Sequence, residues 1–265
     1  MIEPEREKHS LLLDELTTFQ VRELIVGGWH DVIVPLGATE QHGPALPLLV
    51  DNEHGLQTAI RAARLLGKTL VGPVVTLGYS QEHTAFAGTV SVSKATLAGM
   101  LHDIAESHAR TGFRMVYFWI AHGGNHAVLQ DILPQLELKW PGCYVTGLRD
   151  LAGYVSTTWN RIPVEKGIPL SISGSHAGEF ETSMMLAARP DLVRMDSAEA
   201  GNVAPFDAIV EKVMQEGIDR VSPNGVLGDQ RAGDARRGEF YLNTLAEYLV
   251  NEVKQARERV AQRSR

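Results

Sequence analysis

Three short clusters of histidines and carboxylates carry the residue types from which catalytic metal centres are built. The first is Gly37-Ala38-Thr39-Glu40-Gln41-His42-Gly43-Pro44, followed by Asp51. Glu40 and His42 stand two apart, and in extended backbone that spacing sends both side chains to one side. Two ligands of one centre, or of two adjacent centres, need that arrangement. Gly43, Pro44 and Pro47 turn the intervening loop, so Asp51 can return beside them. The second cluster is His122-Gly123-Gly124-Asn125-His126, whose glycines let backbone amides approach a bound oxygen closely and help hold a developing oxyanion. In the third, Ser175-His176-Ala177-Gly178-Glu179-Phe180-Glu181-Thr182, a helix begins. Glu181 in its first turn can face the same cavity, His176 can approach from the preceding loop, and Glu179 points elsewhere as a first-turn carboxylate favoured by the helix dipole.

Taken singly, each residue has an ordinary explanation as a loop, cap or turn residue. Together, three histidines and three carboxylates outweigh those explanations. Two metals about 3.5 to 4 Å apart, bridged by a carboxylate and a water, would use five such ligands and leave one histidine for proton transfer. Cys143 is the one cysteine, which excludes a cysteine-based zinc cluster and an internal disulfide framework. Imidazole with carboxylate suits zinc, manganese or iron.

The elements that position these clusters alternate. Residues 31–36 (DVIVPL), 69–75, 113–121 (FRMVYFWIA) and 144–148 read as strands; 52–66, 94–110, 127–138, 178–188 and 240–260 read as helices, with Ser93 available as an N-cap. Strands alternating with helices imply a parallel sheet between helical layers, with ligands at the strands' carboxyl ends. The clusters fall there. At 265 residues and 44% hydrophobic, the chain fits one domain, residues 1–265, with 1–20 and 200–224 as candidate N-terminal and interface arms. A formal charge of -7 offers no basic stripe for nucleic acid, and no apolar run is long enough to span a membrane. The charged start MIEPEREKHS lacks a signal peptide's apolar stretch, so a cytoplasmic protein is expected.

The three clusters resemble the signature motifs of the creatininase (creatinine amidohydrolase) family: 37–51 (GATEQHGPALPLLVD), 122–125 (HGGN) and 176–183 (HAGEFETS), with weaker similarity at 72–88 and 225–229 (GVLGD). The resemblance spans residues 24–239. It implies a three-layer α/β/α sandwich with a mainly parallel central sheet, a homohexamer, and two divalent metal ions per chain, zinc and/or manganese. Carried across, Glu40, Asp51 and His122 hold one metal, His42, Asp51 and Glu181 the other, and Asp51 bridges. His176 matches the family's proton-transfer histidine, which protonates the leaving nitrogen. Tyr79, Glu82 and His83 from the loop 78–83, with Gly123, Gly124 and Asn125, are the candidate substrate-binding residues.

Two departures argue against creatinine itself. Creatinine-cleaving members carry a glutamate where this chain has Gly124, and an aromatic residue shortly before the third-motif histidine, where 170–175 (LSISGS) has none. Relatives act on formamides, small peptides and cyclic ketones derived from inositol. The leading expectation is hydrolysis of a small cyclic or linear amide, at carbon–nitrogen bonds other than peptide bonds. The alternatives are a carbon–carbon hydrolase of an inositol-derived cyclic diketone and a non-catalytic metal-binding assembly protein.

Overall fold

The computed structural model describes residues 9–263. Four parallel strands, β1 (Asp31–Leu36), β2 (Thr69–Val71), β3 (Met115–Ile120) and β4 (Tyr144–Gly147), lie in the order β2-β1-β3-β4. Ten α-helices accompany them among the described residues: α1 (Thr18–Val26), α2 (Val50–Leu66), α3 (Lys94–Thr111), α4 (Asn125–Lys139), α5 (Leu151–Tyr154), α6 (Arg161–Glu165), α7 (Leu170–Ser173), α8 (Glu179–Ala188), α9 (Phe206–Glu216) and α10 (Ala235–Arg263). Helices α2, α8 and α10 pack on one another beneath β1 and β3, while α3 and α4 pair against β3 and β4, which makes the α/β/α sandwich. Every residue of β3 is buried, as a strand covered on both faces must be.

The second strand is shorter than its apolar run. After Val71 the chain still follows β1, with Gly72 N–H donating to Ile33 O and Val75 N–H to Pro35 O. Pro73 between them has no N–H to give, and the regular ladder stops. Of the segment 1–20, residues 1–8 lie outside the described residues; Leu11 is buried, and its carbonyl accepts from Val71 N–H along the edge of β2.

Register places the site. Leu36 pairs with Ile120, so the loops leaving β1 and β3 emerge side by side at the sheet's carboxyl edge. The chain leaves β1 toward β2 on one side and β3 toward β4 on the other, and this reversal opens a crevice between the two strand ends. Among the described residues, no helix is long and apolar enough to cross a membrane.

Candidate metal centre

The loop after β1 is held extended at Glu40 by strand-like contacts on both sides: Val90 N–H donates to Thr39 O, and Glu40 N–H to Leu48 O. Glu40 and His42 therefore share a side, and α2 carries Asp51 into the same space in its first turn. His122 enters from the end of β3. Glu181 enters from the first turn of α8, where Ala177, at φ 55°, aims its N–H onto a Glu181 carboxylate oxygen. A non-glycine residue in that backbone region is strained, and such strain concentrates at functional sites.

These side chains form two groups of three, Glu40 with Asp51 and His122, and His42 with Asp51 and Glu181, each with ligand atoms within 4.8 Å of one another. Asp51 belongs to both. His42 Nε2 lies 3.6 Å from Asp51 Oδ1 and 3.8 Å from Glu181 Oε1; His122 Nδ1 lies 3.3 Å from Glu40 Oε2 and 3.6 Å from Asp51 Oδ2. Such separations exceed good hydrogen bonds.

Four buried atoms of this cluster have no hydrogen-bond partner: both Glu40 carboxylate oxygens, Asp51 Oδ2 and His42 Nε2. Two backbone carbonyls set the imidazoles accordingly. His42 Nδ1 donates to Glu40 O at 3.1 Å and His122 Nε2 to Tyr79 O at 2.9 Å. A carbonyl can only accept, so those nitrogens keep their protons, and the opposite nitrogen of each ring is the one that can turn a lone pair to a cation once its own proton is displaced. Imidazole nitrogens and carboxylate oxygens that converge in this way could hold a cation, and the donor set suits zinc or manganese.

Electrostatics agree. Burial pulls the His42 pKa down, but the carboxylates of Asp51 and Glu181 overcome it and hold it well above the ordinary value. For His122, burial is likewise outweighed by Glu40 and Asp51, which raise the pKa to about 10. Burial opposes ionisation of Asp51, yet His42, His54 and His122 hold its pKa well below the carboxylate range. The site thus attracts positive charge, and a divalent cation can replace the protons on its imidazoles. His83 and His176 lie at the other extreme. Burial, reinforced by neighbouring histidines, lowers both of their pKa values and favours the neutral rings.

Over the cluster opens a cavity of about 350 Å³. Glu40, Asp51, His122, Glu181 and His176 lie in its lining, as do Glu82, His83, Gly123 and Gly124. Tyr79 and Asn125, expected at the substrate, are absent from that lining. Asn125 is fully used as a clip: its Oδ1 accepts from Tyr79 N–H and its Nδ2 donates to Gly37 O. Tyr79 supplies its carbonyl to His122, and the Lys94 ammonium lies over its ring. Gly124 has no room for a side chain, because a Cβ there would fall 2.3 Å from Tyr79 O and 2.4 Å from His122 Nε2.

Several lining residues were not singled out from the sequence. Helix α9, within the candidate arm 200–224, turns Phe206, Val210, Val213 and Met214 to the cavity, and Tyr154 and Trp159 line it as well. The spacing of the α9 residues is the helical period, a signal that could have been read. His54, buried with its Nε2 3.5 Å from Asp51 Oδ1, stands three residues after Asp51 on one helix face, a second legible signal. Gln41 has no such signature; its partners are His83, His176 and the 225–229 loop.

Comparison with known proteins points to one family. Residues 14–253 match the family model for creatininase, described as creatinine amidohydrolase. The chain is 31% identical to the mycofactocin precursor peptide peptidase of Mycobacterium ulcerans (strain Agy99), over 85% of each chain. Creatinine amidohydrolase of Pseudomonas putida is 26% identical, over 93% of this chain and 97% of that one. A solved structure of a manganese creatininase superposes with a TM-score of 0.78 at 26% identity, covering 94% of this chain and 99% of the other.

Proposed function

The chain belongs to the creatininase family of hydrolases, and we propose that it is a two-metal hydrolase that cleaves the amide bond of a small linear substrate, a short peptide bearing an apolar side chain. The observation that carries this reading is the pair of three-residue groups sharing Asp51, with buried lone pairs and carboxylate oxygens that nothing in the protein satisfies. Glu40, Asp51 and His122 would hold one divalent ion and His42, Asp51 and Glu181 the other, zinc or manganese in each place. When bound, such ions lower the pKa of a coordinated water and polarise a carbonyl.

The chain's own residues do the rest. Glu40, Asp51 and Glu181 offset about three of four positive charges. His176 Nε2 donates to Gln41 O at 2.8 Å, which leaves Nδ1 bare, 3.8 Å from Glu40 Oε1, to carry a proton to the leaving nitrogen. Phe206, Val210 and Met214 form an apolar part of the cavity lining that would receive an apolar group. Creatinine is disfavoured because the glutamate of creatinine-cleaving members falls at Gly124, where a Cβ would displace His122. The relatives at 31% identity and above are named as peptide peptidases, which supports a peptide amide over the non-peptide bond expected from the motifs. A cytoplasmic homohexamer is part of the same proposal; exposed Phe19, Val26 and Leu65 give apolar surface for an interface, and light scattering will give the assembly mass.

Metal content of the purified protein and of Asp51→Ala tests the reading, alongside amine release from peptides, formamides and cyclic amides. About two zinc or manganese ions per chain, lost in the variant, with peptides cleaved best, is the expected result. Metal-supplemented protein that retains none, or cleavage of an inositol-derived ketone without amine release, overturns it.

A further inference from the structure

We propose that Gln41 is a positioning residue that fixes two cavity histidines in complementary roles, His83 as a hydrogen-bond donor to substrate through Nε2 and His176 as a proton acceptor through Nδ1. The assignment rests on the polarity of backbone groups. Gln41 Oε1 accepts from Gly43 N–H at 2.9 Å, and its Nε2 donates to Gly225 O at 3.1 Å. Turned over, the amide would set oxygen against oxygen and N–H against N–H, so only one orientation is allowed. One amide hydrogen remains, and two ring nitrogens lie within reach: His83 Nδ1 at 3.0 Å and His176 Nε2 at 2.9 Å. His176 Nε2 is already a donor to the Gln41 carbonyl and cannot accept. The remaining hydrogen therefore goes to His83 Nδ1, which places the His83 proton on Nε2.

The two rings, 4.4 Å apart between centroids, then present opposite chemistry to one cavity. His83 Nε2–H lies beside Glu40 Oε1 at 3.4 Å, without a hydrogen bond to it, and is free to meet a substrate carbonyl oxygen as negative charge develops there. His83 keeps its proton throughout. His176 Nδ1 accepts a proton from the attacking water as its O–H bond breaks and the carbon–oxygen bond forms. That proton passes to the leaving nitrogen as the carbon–nitrogen bond breaks, so both imidazoles end as they began. Gly225 makes the arrangement possible: at φ 76°, its backbone lies so close that a Cβ would fall 1.9 Å from Gln41 Oε1.

The catalytic half of this inference rests on the amide-hydrolase reading; the tautomers do not. They can be read from nitrogen–proton correlation spectra of the purified protein labelled with ¹⁵N-histidine, before and after zinc loading, with His83→Gln and His176→Gln to assign the rings. Expected is the Nε2–H form at both. In Gln41→Glu, which turns the amide donor into an acceptor, His83 should take a proton on Nδ1, and kcat should fall about 10- to 100-fold with KM and metal content little changed. Nδ1–H on His83 in the wild-type spectrum overturns the proposal without any variant, and so does a switched His83 with undiminished kcat. Tautomers as stated in a protein that binds no ion and cleaves no amide support the positioning role and overturn the hydrolase reading instead.

Discussion

Helix α8 buries two glutamates two residues apart, and their surroundings differ in kind. Glu179, fully buried, accepts from Ser183 Oγ at 2.7 Å, Arg237 Nε at 2.8 Å and Tyr241 OH at 3.2 Å. Glu181 faces the other way, toward His42, Asp51 and the cavity, in a cluster where Glu40 has no donor on either oxygen. Burying a carboxylate without partners costs several kcal/mol. The chain therefore satisfies the charge that helps hold α10 on α8, gives Glu181 one donor from Ala177 N–H, and leaves both Glu40 oxygens and Asp51 Oδ2 beside it without any. Full satisfaction marks a buried charge that serves folding, and orphaned atoms mark one built for a ligand.

The sharpest way to break that contrast is to exchange the consequences. Asp51→Asn should lower hydrolysis by about 1,000-fold or more and release metal, with little change in the stability of the chelated protein, as amine release, elemental analysis and urea unfolding will show. Glu179→Ala should do the reverse. It strands Arg237, and should lower the unfolding free energy by about 3 kcal/mol while metal content per folded chain stays constant. A third case sharpens the rule: His108 is buried with neither ion partner nor cavity, and burial holds its pKa down to about 4 against an ordinary 6.5. The unfolded chain then binds a proton that the folded one refuses, so stability is full above pH 6.5 and falls as pH drops toward 4, by up to about 3 kcal/mol. Urea midpoints of chelated His108→Leu should show a correspondingly shallower decline over that window. The smallest effect concerns the apolar wall, which holds no charge. Phe206→Ala should reduce kcat/KM about tenfold for peptides with a bulky apolar side chain and leave formamides untouched.

Much of the candidate site was legible because the candidate ligands sit where local pattern is strongest. An apolar run such as β3 can only be a covered strand, and a histidine directly after it must emerge at the sheet's edge. Two-residue spacing in extended backbone paired Glu40 with His42, and a helix first turn separated Glu179 from Glu181. The residues read less well were Tyr79 and Asn125, neither of which lines the cavity: the Asn125 amide and the Tyr79 backbone N–H and carbonyl are spent on the scaffold.

What the sequence by itself determined was the alternation of strands and helices and the candidate ligands at successive strand ends, since both follow from spacings of a few residues. Tertiary structure alone decided which atoms remain unpartnered and which nitrogen of each imidazole carries the proton. Gln41 takes its orientation from Gly225, far along the chain, and shares its ring contacts with His176 from a third segment. No local period encodes those meetings. They exist because the folded backbone brings carbonyls and amides of fixed polarity within hydrogen-bond reach, and that polarity permits one arrangement of protons.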